Sequence, residues 1–131
     1  MPSIFTQIIN REIPGYIVAE NDDAIAFLDI NPLNEGHTLV VPKVEVDKLF
    51  DLDEDAYLKL QAFTHQVAKA IEKAIPCLRV GVAVIGLEVP HAHIHLIPLN
   101  SLHDIDFSRP KLKLEAPVLE GIASKIKREL R

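Results

Sequence analysis

Read for apolar and polar positions alone, the chain switches between two periods. Apolar residues at Tyr57, Leu60, Phe63, Val67, Ala70, Ile71 and Ala74 recur at helical spacing. Asp51 or Asp53 supplies a cap before them and Pro76 a stop after them, so one long helix of about 33 Å is predicted from Asp53 to about Ile75. Ser3 caps a shorter helix through Asn10 with Phe5, Ile8 and Ile9 on one side, ended by Pro14-Gly15. A last helix from about Pro117 to Leu130 is apolar at Val118, Leu119, Ile122, Ile126 and Leu130. Lys125, Lys127, Arg128 and Arg131 gather at its negative end.

The segments between read as strands. Tyr16 to Glu20 and Ala24 to Ile30 flank the turn Asn21-Asp22-Asp23 and make a hairpin, followed by a loop over residues 31–36. His37 to Val41 is β-branched and closed by Pro42. Leu78 to Ile85 is nearly all apolar and is predicted to be a central strand buried on both faces. Residues 101–110 read as irregular, with Ile105-Asp106-Phe107 as a brief edge strand. The remaining strand, Pro90-His91-Ala92-His93-Ile94-His95-Leu96-Ile97-Pro98, alternates histidine with apolar residues, which places three imidazoles on one face and Ala92, Ile94 and Leu96 on the other. Five strands joined mostly by short turns, with no repeat and no linker, predict a single α+β domain over residues 1–131. Its architecture is an antiparallel sheet with one long central helix and shorter N- and C-terminal helices.

Composition narrows the function. At 131 residues and 48% hydrophobic, the chain can build a full core without staples. Its net charge of −5 and lack of a basic block argue against a nucleic-acid partner. The N-terminus lacks a secretory pattern and no apolar run approaches a membrane span, so a soluble, cytoplasmic protein without a membrane partner is expected. Cys77 is the only cysteine, which excludes an internal disulfide, and it is expected to be a small buried apolar residue.

Three of six histidines in one short strand is the chemical signature. A neutral imidazole is an unhindered nucleophile toward phosphorus and also a good leaving group. His93, flanked by the other two, is the natural nucleophile. His95 would donate to a phosphate oxygen, and His91 would orient the strand or join the hydrogen-bond network. His37 reaches them only if the sheet makes the two strands neighbours. A metal site is the rival, since imidazoles two apart on a strand can share one Zn²⁺, with Glu88 as a general base.

The run His91-Ala92-His93-Ile94-His95-Leu96-Ile97 resembles the His-x-His-x-His-x-x signature of the histidine triad (HIT) family of nucleotide hydrolases and transferases. The likeness extends in order through Ile4-Phe5, Ile8-Ile9, Glu12-Ile13-Pro14, residues 26–32, residues 36–43 and Glu88-Val89-Pro90. It spans a core of about residues 3–99 and leaves residues 101–131 as a C-terminal extension. The resemblance implies a homodimer with a joined sheet, acting at the α-phosphorus of nucleoside phosphates through a nucleotidyl intermediate on His93. It assigns phosphate contact and proton relay to His95 and His37, ribose recognition to Asp29, and the walls of the base pocket to Phe5, Ile8, Phe27 and Ile30. Leu87 and Glu88 depart from the frequent glutamine and serine in a shortened approach to the triad, which leaves a catalytically weak nucleotide-binding or scaffold protein as the alternative. Ser3 and Thr6 stand where a zinc-binding subset has Cys-x-x-Cys, and Glu45 where it can have a further histidine. No structural zinc and no other cofactor is therefore expected.

Overall fold

A computed structural model describes residues 2–130; Met1 and Arg131 lie outside the described residues, and with them the basic contribution expected of Arg131 to the last helix. The described elements are α1 (Ile4–Ile9), β1 (Ile17–Glu20), β2 (Ala24–Leu28), β3 (Thr38–Pro42), α2 (Glu54–Ala74), β4 (Arg79–Ala83), β5 (Ile94–Leu99) and α3 (Ala116–Arg128). Short 3₁₀ turns lie at Leu49–Asp51 and Leu102–Ile105. The five strands form one sheet of order β1-β2-β3-β5-β4, antiparallel at every pairing. The α+β architecture expected from the periodicity is the one found.

Alternation decides which residues face which layer. Ala24, Ala26 and Leu28 of β2, Val40 of β3, and Ala92, Ile94 and Leu96 pack against Leu60, Phe63, Val67 and Ile71 of α2 and Leu119, Ile122 and Ile126 of α3. Ile25 and Phe27 of β2 and Leu39 and Val41 of β3 face the opposite way, where Phe5 and Ile8 of α1 cover them. β2 and β3 are therefore buried at every position. Capping fixes where the helices begin. The Ser3 Oγ accepts the Thr6 N–H at 3.1 Å, and the Asp53 carboxylate accepts the Ala56 N–H at 2.8 Å. Pro76 stops α2.

Four expectations are corrected. The apolar run Leu78–Ile85 is not a central strand. Only Arg79–Ala83 pairs, it lies at the sheet edge, and Leu78, Val82, Val84 and Ile85 are exposed. Hydrophobicity alone cannot tell a strand buried in its own chain from one with an open apolar face. The histidine strand starts at Ile94, so that His91 and His93 precede it. Pro42 has no N–H to pair with this segment, and the Ala92 N–H turns instead to the Val46 carbonyl at 2.7 Å, so residues 91–93 peel off the ladder. Ile105-Asp106-Phe107 is no strand; a 3₁₀ turn over Leu102–Ile105 takes its place, with the Asp104 carboxylate accepting the N–H groups of Asn100 and Ser101. Cys77 is half-buried rather than buried, because it lies in the link after α2 and outside the packed layers.

Gly36 sits at φ +93°, and a Cβ there would meet Ile75 Cγ1 at 2.9 Å and Pro98 Cγ at 3.1 Å. Only glycine fits both the backbone and the space, and the close approach delivers the next residue, His37, to the start of β3.

Candidate active site

β3 and β5 are neighbours, so the sheet itself brings the separated histidines together. Leu39 stands opposite His95. His37, two residues from Leu39 on the same face, is diagonal to His95, a spacing that long side chains bridge. His37 Nε2 and His95 Nδ1 are 3.0 Å apart. The rings of His95 and His93 lie edge to face with centroids 4.9 Å apart, and Phe5 stands in the same relation to His93 at 4.9 Å.

The partners of the ring nitrogens fix the protons. A backbone carbonyl only accepts, so the His91 carbonyl, 2.8 Å from His93 Nδ1, holds the proton on Nδ1 and leaves a lone pair on His93 Nε2. The nitrogen-holding group is thus a carbonyl and not a second imidazole. The Leu33 N–H donates to His37 Nδ1 at 3.0 Å, so neutral His37 carries its proton on Nε2 and donates it to His95 Nδ1. His95 is left with an N–H on Nε2. His91 is fully buried; its Nε2–H donates to the Pro42 carbonyl at 2.8 Å and its Nδ1 accepts from the Ser3 hydroxyl at 2.7 Å. Both of its nitrogens are used within the fold, so it positions and does not react.

Electrostatics agrees with these tautomers. Burial, with the neighbouring imidazoles, pushes His37 down to about 3 and His95 down to about 4, and burial lowers His91 as well. Asp29 goes the other way: loss of water raises its carboxyl, offset in part by the Asn31 N–H that it accepts at 2.9 Å. Because unfolded histidines bind protons near pH 6.5 and these folded ones do not, stability is full above about pH 6.5 and falls as the pH drops toward about 4, by up to about 1.4 kcal/mol per pH unit for each group. Denaturant unfolding at pH 7, 6 and 5 should show this decline, and a flat profile would contradict neutral buried imidazoles.

Of the other expected site residues, Phe5, Ile8 and Phe27 lie in the apolar cluster beside the triad. The Asp29 carboxylate is 3.7 Å from His37 Nε2, too far for a direct hydrogen bond but within the same site. Ile30 is 59% exposed and lines an open groove of about 710 Å³ with Tyr16, Leu119 and Ala123, while Glu88 is exposed on the approach to the triad. His65 and His103 are exposed and take no part. Sequence reasoning missed Phe107, whose ring meets that of His95 at 4.9 Å. Nothing in its local pattern signalled this. It also missed how Ser3, Thr6, Glu45 and His91 join up: Glu45 Oε1 accepts the Ser3 N–H at 2.7 Å and the Thr6 hydroxyl at 2.5 Å.

Metal binding suits neither cluster. Asp29, His37 and His95 bring ligand atoms within 4.8 Å of one another, but His37 Nε2 carries a proton and donates it to the lone pair of His95 Nδ1. An ion there would require His37 to give up its Nε2 proton and His95 Nδ1 to give up the hydrogen bond it accepts. Ser3 and Thr6 offer hydroxyls, which are poor ligands for Zn²⁺.

Known proteins share this chain's plan. An uncharacterised HIT-like protein of Borreliella burgdorferi is 34% identical over 131 residues, covering 94% of each chain. An adenosine 5′-monophosphoramidase of Schizosaccharomyces pombe is 31% identical over 133 residues, covering 97% of this chain and 100% of its own. The crystal structure of a Hit-like protein from Bartonella henselae superposes with a TM-score of 0.84 at 32% identity, covering 97% of this chain and 95% of that one. The HIT domain pattern matches residues 10–102, the span that holds β1 to β5, Asp29, His37 and the three triad histidines, and the chain belongs to the HIT family.

Proposed function

We propose that this protein is a HIT-type nucleotide hydrolase or nucleotidyl transferase that cleaves at the α-phosphorus of a nucleoside phosphoramidate, phosphoanhydride or dinucleoside polyphosphate. The observation that carries the reading is the proton arrangement: a lone pair on His93 Nε2 beside an N–H on His95 Nε2. His93 Nε2 attacks the α-phosphorus and forms a P–N bond, while the bond from phosphorus to the leaving nitrogen or oxygen breaks. The His95 Nε2–H donates to the phosphoryl group where negative charge builds, with His37 behind it as a relay. Water or another acceptor then attacks phosphorus, the P–N bond breaks, and His93 returns to its first state. Asp29 accepts the ribose hydroxyls, and Phe5, Ile8, Phe27 and Ile30 flank the base. The Schizosaccharomyces relative, named for action on an adenosine phosphoramidate, supports this class of substrate.

The exposed apolar edge formed by Leu78, β4 and Val84-Ile85 supports a homodimer in which β4 of a second copy covers the first. Incubation with adenosine phosphoramidate and with a dinucleoside polyphosphate should release nucleotide in the presence of chelator, and light scattering should give twice the 14.6 kDa chain mass. Saturable nucleotide binding without release would sink the enzyme reading in favour of a binding or scaffold protein, a reading that Leu87 and Glu88, both exposed on the approach to the triad, would then explain. Activity lost to chelator and restored by a divalent ion would instead establish metal-dependent hydrolysis. No helix among the described residues is long and apolar enough to cross a membrane.

A further inference from the structure

Beyond β5 the chain doubles back over the site as a strap running from the Leu102–Ile105 turn to the start of α3 at Ala116. The strap is anchored at several points. Arg109 Nη2 donates to the Leu33 carbonyl at 2.6 Å and to Asn34 Oδ1 at 3.2 Å; the Leu112 N–H donates to the Pro32 carbonyl at 2.8 Å. Lys111 Nζ donates to the Phe107 carbonyl at 2.6 Å. Leu33 is the residue whose N–H sets the tautomer of His37, so the strap grips the same peptide segment that orders the relay.

What the anchoring delivers is the Phe107 ring. It lies edge to face with His95 at 4.9 Å and 76°, and with His37 at 6.3 Å and 85°. His95 has His93 on its other side, and His93 has Phe5 beyond it. Phe5, His93, His95 and Phe107 thus form a row in which two imidazoles are bracketed by two phenyl rings.

We propose that Phe107 is a positioning residue for the reaction at His93: it keeps water off the hydrogen bond between His37 and His95 and so holds the His95 proton on Nε2, where the phosphoryl group needs it. The role follows from what the ring can and cannot do. A phenyl ring offers no competing donor or acceptor, so His37 Nε2–H has one partner, His95 Nδ1; water admitted there could bond to either and free both imidazoles to change tautomer or gain a proton. The ionisable groups around the pair are His93 from the loop before β5, beside both imidazoles, Lys111 from the strap, which acts on His37, and Asp29 from the loop after β2, 3.7 Å from His37 Nε2 and itself faced by Glu88. Lys111 and the imidazoles disfavour a proton on the pair and the Asp29 carboxylate beside His37 favours it, so removal of the ring tips a balance already set by charges on both sides. The effect on turnover rests on the reading of His93 as the nucleophile, whereas the effect on His95 does not.

The test is nitrogen NMR of the imidazoles in the full-length protein without nucleotide, together with steady-state kinetics on adenosine phosphoramidate. In the wild type His95 should appear as the Nε2–H tautomer with a midpoint near 4. Phe107→Ala should raise that midpoint by about one pH unit or more and mix the two tautomers at pH 7. It should also lower kcat roughly tenfold with KM within about twofold, since the ring meets the relay histidines His37 and His95. Phe107→Leu, still apolar, should restore both. Should Phe107→Ala fail to fold, Phe107→Gln fills the space with a polar group and is read in the same way. A His95 midpoint and tautomer unchanged in a folded Phe107→Ala or Phe107→Gln would overturn the proposal. A shifted midpoint in a protein whose wild type never releases nucleotide would overturn the hydrolase reading and leave the shielding of His95 established.

Discussion

Exchange of His93 for alanine should lower nucleotide release by about 10⁴-fold or more, the scale seen when a covalent nucleophile is removed. The loss should fall almost wholly on kcat. Asp29 and Phe27 keep their places and Phe5 loses one ring neighbour, so nucleotide affinity should stay within a few-fold of the wild type. Acid quenching of the wild type with labelled substrate should trap a phosphoramidate-linked nucleotide on one histidine, and the variant should trap none. The expectation depends on geometry as well as on residue type. His93 is the only triad member with a free lone pair: the Pro42 carbonyl and the Ser3 hydroxyl occupy both nitrogens of His91, and His37 occupies Nδ1 of His95. His93→Gly with imidazole added to the buffer should recover part of the activity, because the missing lone pair is then supplied from solution. A variant that keeps turnover within tenfold of the wild type, or labels another histidine, would end the assignment.

His91→Ala is expected to act on stability first. The ring is fully buried and joins the Pro42 carbonyl to the Ser3 cap of α1. Its removal leaves a cavity and takes away the hydrogen bonds made to the Pro42 carbonyl and by the Ser3 hydroxyl, together costing about 2–4 kcal/mol. That corresponds to a fall in Tm on the order of 10 °C for a domain of this size. His91→Gln, whose amide N–H₂ can still reach toward the Pro42 carbonyl, should recover part of the loss. Turnover should suffer less than in His93→Ala, since His91 acts only by holding the carbonyl that fixes His93 and the helix that carries Phe5. Urea unfolding alongside the nucleotide-release assay separates the two roles. Stability unchanged with turnover abolished would show that His91 reacts, contrary to its bonding.

These two histidines show where sequence reading stops. The alternation of histidine with Ala92, Ile94 and Leu96 was enough to place the apolar residues in the main core and the imidazoles on the other face, because that period is a property of extended chain. It could not assign different work to His91 and His93, which share a local pattern and differ only in what lies across from them. The same holds for the run Leu78–Ile85. Its apolar content marked a strand correctly, but its place at an open edge depends on strand order, which no local window contains. Asp29 was picked out through the family likeness and His37 on the condition that its strand neighbours the triad; their approach to His95 follows from the pairing of β3 with β5.

The sequence by itself determined the periods, the caps at Ser3 and Asp53, the stop at Pro76, the α+β class and the presence of three imidazoles in one short segment. Each of these is set by neighbours a few residues away. Only the tertiary structure decided which imidazole is free to attack, that His37 hands its proton to His95, that Glu45 ties α1 to the triad, and that Phe107 closes the row. Those depend on hydrogen bonds and ring contacts between residues far apart in the chain, such as Ser3 with His91 and His37 with His95, and the partner of a ring nitrogen is fixed only when the sheet and the strap have closed around it.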